Sequence, residues 1–169
     1  MSGHAYLTFF ADAPGESSAV GHEGWIELLT WSWGVTAGVS AGPGHGGSTG
    51  GTGGGAAGRP DPSALLWSHA FDAASGKLFG LAASGRHIQK AELQVMRTGH
   101  EAWLSVKMQD LLITSAHVTG SAEGDVAQAV GMEFGSVRFE YRRQRPDGAL
   151  GTPATFDWDI RSGTVATAP

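Results

Sequence analysis

The chain has 169 residues, is 41% apolar and only 16% charged, and carries a formal net charge of −5 with no basic cluster. That balance argues against nucleic acid as the principal ligand. With no cysteine, disulfides and thiolate chemistry are excluded. The N-terminus lacks a basic region ahead of an apolar run, and no stretch approaches the length of a membrane span, so the expectation is a chain made in the cytoplasm without a signal peptide or membrane insertion.

Residues 5–10 alternate and predict a short first strand, which Pro14-Gly15 ends before a polar loop from Glu16 to His22. The run Trp25-Ile-Glu-Leu-Leu-Thr-Trp31-Ser32-Trp33-Gly34-Val35 follows. Read with a period of two, it places Trp25, Leu29, Trp31, Trp33 and Val35 on one apolar face, with Glu27 as the mismatch. The opposite face runs Ile26, Leu28, then Thr30, Ser32, Gly34 and Thr36. The second half therefore predicts one aromatic side and one small, uncharged, hydrogen-bonding side. Ordinary solvent exposure on one side of an antiparallel sheet would explain that pattern. The functional alternative is a smooth wall against which something rests.

From Gly38 to Gly58, eleven of twenty-one residues are glycine. Such a segment cannot bury enough apolar surface to offset its ordering entropy, so it is predicted to be flexible, as a binding loop of that length often is. Gly42-Pro-Gly44-His-Gly-Gly47 matches the dinucleotide fingerprint, and Gly46-Gly-Ser48-Thr-Gly50 matches the nucleophile elbow. Both motifs need a strand handing the chain to a helix, and nothing after them starts one, so glycine density explains the matches.

Leu65, Trp67, His69 and Phe71 share a face of the next strand. Ser75 to Ser84 predicts the one helix, with Ser75 as N-cap, Leu78 and Leu81 inward, and Gly85 as the left-handed C-cap. Ile88 to Met96 is a strand. Residues 102–118 alternate for too long to be one regular strand, predicting a bulge or bend near Asp110. Val130, Met132 and Phe134 hold one phase and Val137, Phe139 and Tyr141 the other, with the slip at Gly135. After the Pro146-Asp147-Gly148 turn, Phe156, Trp158 and Ile160 alternate with Asp157, Asp159 and Arg161, and a frayed tail is expected from Gly163. The sum is a mainly β fold over residues 1–169: an antiparallel β-barrel or two-sheet sandwich with one short α-helix.

None of the seven histidines falls in a spacing that makes a metal face. His69, between Trp67 and Phe71, reads as a core or semi-buried ring with a satisfied nitrogen. Asp157 and Asp159 read as a solvated face rather than a catalytic pair. No enzyme and no cofactor follows from these residues. A metal-dependent hydrolase using His69, His87 or His117 is the alternative from a different class.

The run Trp25 to Gly34 with its Gly/Ser-rich sequel resembles the haemolysin-coregulated protein (Hcp) family, the inner-tube subunit of bacterial type VI secretion systems. The resemblance continues through Phe71-Asp72-Ala-Ala-Ser75, Ala83 to His87, Ala91-Glu-Leu93, Leu111 to Ser115, Phe134 to Tyr141 and Phe156 to Arg161. It implies a barrel with one helix, assembled as a homohexameric ring. Rings would stack into a tube that a contractile sheath drives outward behind a spike (VgrG-type) protein, with small effector proteins held in the lumen. By that likeness Thr30, Ser32 and Gly34 would face the lumen and contact effector. Trp25, Trp31 and Trp33 would anchor the wall, and Gly42, Gly47, Gly51 and Gly54 would lie in a loop reaching other subunits. Gln128 stands where the family often has an acidic residue at an interfacial position. A tail-tube protein of a phage-like contractile injection particle shares these expectations.

Overall fold

The computed structural model describes residues 3–38, 58–97 and 101–169. In chain order the elements are β1 (His4–Thr8), β2 (Ile26–Ser32), β3 (Val35–Thr36), β4 (Asp61–Pro62), β5 (Leu65–Ala70), α1 (Ala73–Ser84), β6 (Ile88–Met96), β7 (Ala102–Gly120), β8 (Val126–Gln144), β9 (Leu150–Asp159) and β10 (Thr164–Ala168). Every pairing among them is antiparallel. The order β8-β5-β2-β1-β6-β7 closes on itself because β7 also pairs with β8, giving a six-stranded barrel. Closure removes the sheet edges that would otherwise template association. The strands β9 and β10 extend the sheet from the second half of β8, so the tail expected to fray is instead a strand paired with β9 from Thr164 to Ala168. The sequence there (Thr, Val, Ala, Thr, Ala) has no apolar alternation, and a β-hairpin needs no large apolar face when a longer strand already supports it.

The barrel interior is filled from every strand: Leu7, Ile26, Leu65, Leu93, Val106, Leu111 and Met132 are fully buried. Helix α1 adds Ala74, Leu78 and Leu81 to the same core. It begins earlier than Ser75, because Asp72 is the N-cap. The Asp72 carboxylate accepts from the Ala74 amide at 2.9 Å, and the Ser75 hydroxyl accepts from the Asp72 amide at 3.0 Å. This reciprocal capping satisfies two donors the first turn leaves open and contributes about 1 kcal/mol per bond. Ser75 is therefore the third helical residue, not the cap. Gly85 ends the helix as expected, at φ 64° with its amide on the Leu81 carbonyl.

The tryptophan run departs from strict alternation. Leu28 pairs with His69 but Thr30 pairs with Ser68, so Leu29 is an extra residue in β2. This bulge switches the strand's face: Ile26 and Leu28 point inward before it, while Trp31 and Trp33 pack against the core after it. Leu29 and Val35, expected inward, are 64% and 51% exposed. The strand also stops at Ser32, and Val35–Thr36 pairs with Asp61–Pro62 as a separate two-stranded ribbon. At its base the Gly58 amide donates to the Gly38 carbonyl, bringing the two ends of the glycine-rich segment together. Gln128 is not interfacial within this fold: it is fully buried and donates to the Ser75 carbonyl at 3.1 Å.

Candidate functional site

The outward side of β2, β5, β8 and the distal half of β7 forms one continuous wall, and the pairing registers fix its rows. Ser32, Leu66, Gly131 and Ser115 lie side by side, as do Thr30, Ser68, Ala129 and His117. A third row runs from the bulged Leu29 past Ala70 and Ala127 to Thr119. The Thr30 and Ser68 hydroxyls hydrogen-bond across the strands at 2.7 Å. Behind this surface Trp31 and Trp67 are cross-strand partners, and the Phe9 ring packs tilted against Trp67 at 5.8 Å. A shallow depression of about 310 Å³ lies over them, lined by Thr30, Ser32, Leu66, Ser68, Ser115 and His117.

Charge is kept off these rows. Glu133 follows Gly131 on the same face of β8 and marks one end, while Asp125 borders the other beside Leu29 and Val126. The flank over β6 to β9 is the opposite in character. Glu92, Lys107, Arg138 and Asp157 form one cross-strand row over β6 to β9. Arg138 reaches Glu140 at 2.8 Å and Asp157 at 3.1 Å. The hydrogen bond from Arg138 holds the Glu140 carboxyl below the usual glutamate range, with Lys107 and Arg142 adding to it. A barrel with one charged and one uncharged flank presents two chemically different surfaces to its surroundings.

Of the residues singled out in the sequence, Thr30 and Ser32 lie on the wall and are exposed, and Trp31 and Trp33 lie behind it. Trp33 packs against Phe139, Phe134 and Trp158 at 5.4, 5.7 and 6.3 Å. Gly34 is not on the wall: its amide donates to the Ser63 hydroxyl and its carbonyl accepts from the Ser63 amide, tying β2's exit to the start of β5. Trp25 sits before the bulge, on the Glu27 side of the strand, where its ring meets His22 edge-on at 4.7 Å. It clamps the loop before β2 rather than backing the wall. Gly42, Gly47, Gly51 and Gly54 lie outside the described residues.

The sequence reading missed Ser68, Ser115, His117, Ala129 and Gly131 as neighbours of Ser32. Each is a small or polar residue at an outward position of its strand, but only strand order brings them together. The three histidines of the hydrolase alternative stay apart. His69 is sealed inside the barrel, His87 pairs with Asp110 at 3.1 Å, and His117 faces outward. Among the described residues no three His, Asp or Glu side chains converge as metal ligands. Ser75 and Asp72 do approach His69, at 3.3 and 3.5 Å, but both reach the same Nε2 and the imidazole has no exposed surface. A catalytic triad needs the carboxylate on the other nitrogen and a substrate path to the serine.

The description "Type VI secretion system effector, Hcp" belongs to the family whose model matches residues 6–144. The chain is 26% identical to Hcp1 from Salmonella typhimurium, with 98% of this chain and 100% of that one covered and a TM-score of 0.74. Hcp2 from the same organism is 24% identical over 95% of this chain and 98% of that one, at a TM-score of 0.69. A structure described as a type six secretion system protein is 22% identical, covers 98% of this chain and all of that one, and superposes at a TM-score of 0.85. No curated protein sequence matches the chain. The closed barrel, the one helix among the described residues and the family match over most of the length agree, and the chain belongs to the Hcp family of type VI secretion proteins.

Proposed function

We propose that this chain is a non-enzymatic tube subunit whose copies close into a hexameric ring with the uncharged wall turned to the lumen. The observation that carries this reading is the set of rows through Ser32 and Thr30, where four strands contribute small neutral groups and charge is confined to the ends. An exposed surface of that composition gains little from water and is suited to a passage along which cargo slides without a fixed ionic partner. The outer edge of β10, exposed at all five positions, is a strand edge of the kind that a neighbouring copy covers.

Stacked rings would form the tube propelled by a contractile sheath beneath a spike protein of the VgrG type. The subunit would be made in the bacterial cytoplasm and exported through the apparatus with small effectors in the lumen. A tail-tube protein of a phage-like contractile particle would use the same barrel physics, and the family match favours the secretion tube.

Light scattering coupled to size exclusion tests the assembly, with a species of about six times the 17.5 kDa protomer expected. Negatively stained particles should show a central hole. A monomer at high protein concentration would overturn the reading. Substituting Ser32→Gln narrows the lumen without touching the core, so it should abolish effector co-purification while leaving the ring mass unchanged.

A further inference from the structure

The two ends of β8 carry opposite charges, which the overall charge of −5 conceals. The strand runs 19 residues, from Val126 to Gln144. At its start the β7–β8 turn exposes Glu123 and Asp125, and at its finish Arg142, Arg143 and Arg145 are exposed around the turn to β9. Among the described residues none of these five charges has an ion-pair partner. Nor can the two ends satisfy each other. At about 3.4 Å per residue the strand is roughly 60 Å long. Its ladder to β7 continues through the change of face at Gly135, so the strand does not fold back.

Each end also carries apolar surface. Leu29, Ala70, Val126 and Ala127 line a cup of about 400 Å³ whose border includes Asp125. Phe71, whose amide donates to the Val126 carbonyl at 3.0 Å, is exposed as well. At the other end Tyr141, immediately before Arg142, is exposed and meets Trp103 edge-on at 5.9 Å. The Arg97 guanidinium lies over that indole at 4.6 Å. One end is thus an apolar recess flanked by carboxylates, and the other an aromatic pair flanked by guanidinium groups. A stable contact combines an apolar centre that excludes water with a polar rim that sets orientation. Arginine, tyrosine and tryptophan dominate the energetics of such contacts.

We propose that the β8–β9 end of one copy docks on the Asp125 end of the next. Tyr141 closes over the apolar cup, and Arg142, Arg143 and Arg145 face Glu123 and Asp125. The occupant is a second copy because each surface finds its complement, in charge and in apolar character, on the same chain. Exposed ion pairs hold weakly one by one, so charge orients the encounter and the aromatic contact holds it. The two surfaces differ, so every contact leaves one of each free and copies add head to tail. In the tube proposed above this contact would join successive rings, and that placement rests on the tube reading. The contact itself needs only two copies.

Crosslinking tests it, because the chain has no cysteine and every introduced thiol is unique. Ala122 and Ala149 are exposed, one in each turn. With a short bismaleimide, the double variant Ala122→Cys/Ala149→Cys should give a ladder of multimers on a denaturing gel, while each single variant stays monomeric. Raising salt to about 0.5 M should cut the ladder at least about tenfold. In the same background, Arg142→Glu, Arg143→Glu and Arg145→Glu together should abolish the ladder, and adding Glu123→Arg with Asp125→Arg should restore it. The proposal is overturned by the absence of a ladder, by single variants that crosslink equally, by indifference to salt, or by a reversal that the complementary reversal does not rescue. Should a reversed variant fail to fold, the salt comparison decides alone. Light scattering without crosslinker reads the ring separately. A ring mass without a ladder sinks this contact and leaves the ring, whereas a ladder from a protein that forms no ring sinks the ring alone.

Discussion

Asp110 and Gly135 face each other across the β7–β8 ladder, and both strands change face there without losing register. Gln109 pairs with Ser136 and Leu111 with Phe134 on either side of them. Val106 and Met108 are buried before the kink and Leu111 and Ile113 after it, while β8 switches from Phe134 to Val137 at the same level. Asp110 adopts φ 57°. Its carboxylate meets His87 and Arg161, and the Arg161 guanidinium lies within 3.1–3.3 Å of where a Cβ on Gly135 would be. Asp110→Gly and Asp110→Ala remove the same ionic contacts but differ in their tolerance of a left-handed backbone. The alanine variant should be the less stable by about 1 kcal/mol in urea unfolding, and equal midpoints would show that φ carries no cost.

Gly15 makes a second backbone demand. A Cβ there would stand 2.7 Å from the Trp25 carbonyl carbon and 2.8 Å from the Ile26 amide nitrogen. Both are main-chain atoms at the entrance to β2, where the Gly15 amide also bonds Gly24. Neither can swing aside as a side chain would. Gly15→Ala should cost about 1–3 kcal/mol, and the tryptophan fluorescence should change as the loop draws His22 away from the Trp25 ring.

Much of this fold is legible in the residue pattern: the helix and its C-cap, the phase change at Gly135, the buried His69 and the outward Thr30 and Ser32. The bulge at Leu29 was not, because Leu28, Leu29 and Trp31 are all apolar and no periodicity distinguishes the extra residue. Glu27 held the information. As an exposed charge in the same phase as Leu29, it marks that phase as outward, whereas it reads as a mismatch if Trp31 sets the frame. Near Asp110 a bend was legible, but its form was not: the left-handed residue keeps register, and the register shift falls later, between Ile113 and Ser115. The wall's other members were hidden for a topological reason. Gly131 comes beside Ser32 only through β5 pairing with both β2 and β8, and Ser115 joins them only once β7 closes the barrel onto β8.

The charged flank should make stability depend on acid in a defined direction. Glu140 is held below its ordinary value chiefly by the hydrogen bond from Arg138. A carboxyl with a lowered folded value stabilises the native state above its unfolded value, about pH 4.3 for glutamate, and that contribution disappears as pH falls through the folded value. Glu140→Gln should therefore lower Tm at pH 7 and lose its difference from wild type well below about pH 4. A constant difference across that range would mean that packing, not charge, makes the contribution. Because Arg138 is exposed, the difference at pH 7 should also shrink in salt.

Ser32, the last residue of β2, and Trp33, just beyond it, should answer oppositely to substitution, since one is exposed and the other packs against the core. Trp33 is wedged among Phe134, Phe139 and Trp158, so Trp33→Ala removes aromatic contacts from three rings and should cost about 3 kcal/mol or more. Ser32 projects from the other side of the strand, next to exposed Leu66, and a longer neutral side chain has room there. Ser32→Gln should stay within about 0.5 kcal/mol of wild type in the same unfolding assay. The pair thus separates the wall's surface from its support: if Ser32→Gln proves as damaging as Trp33→Ala, Ser32 is packed rather than presented, and a lumen built on it has no basis.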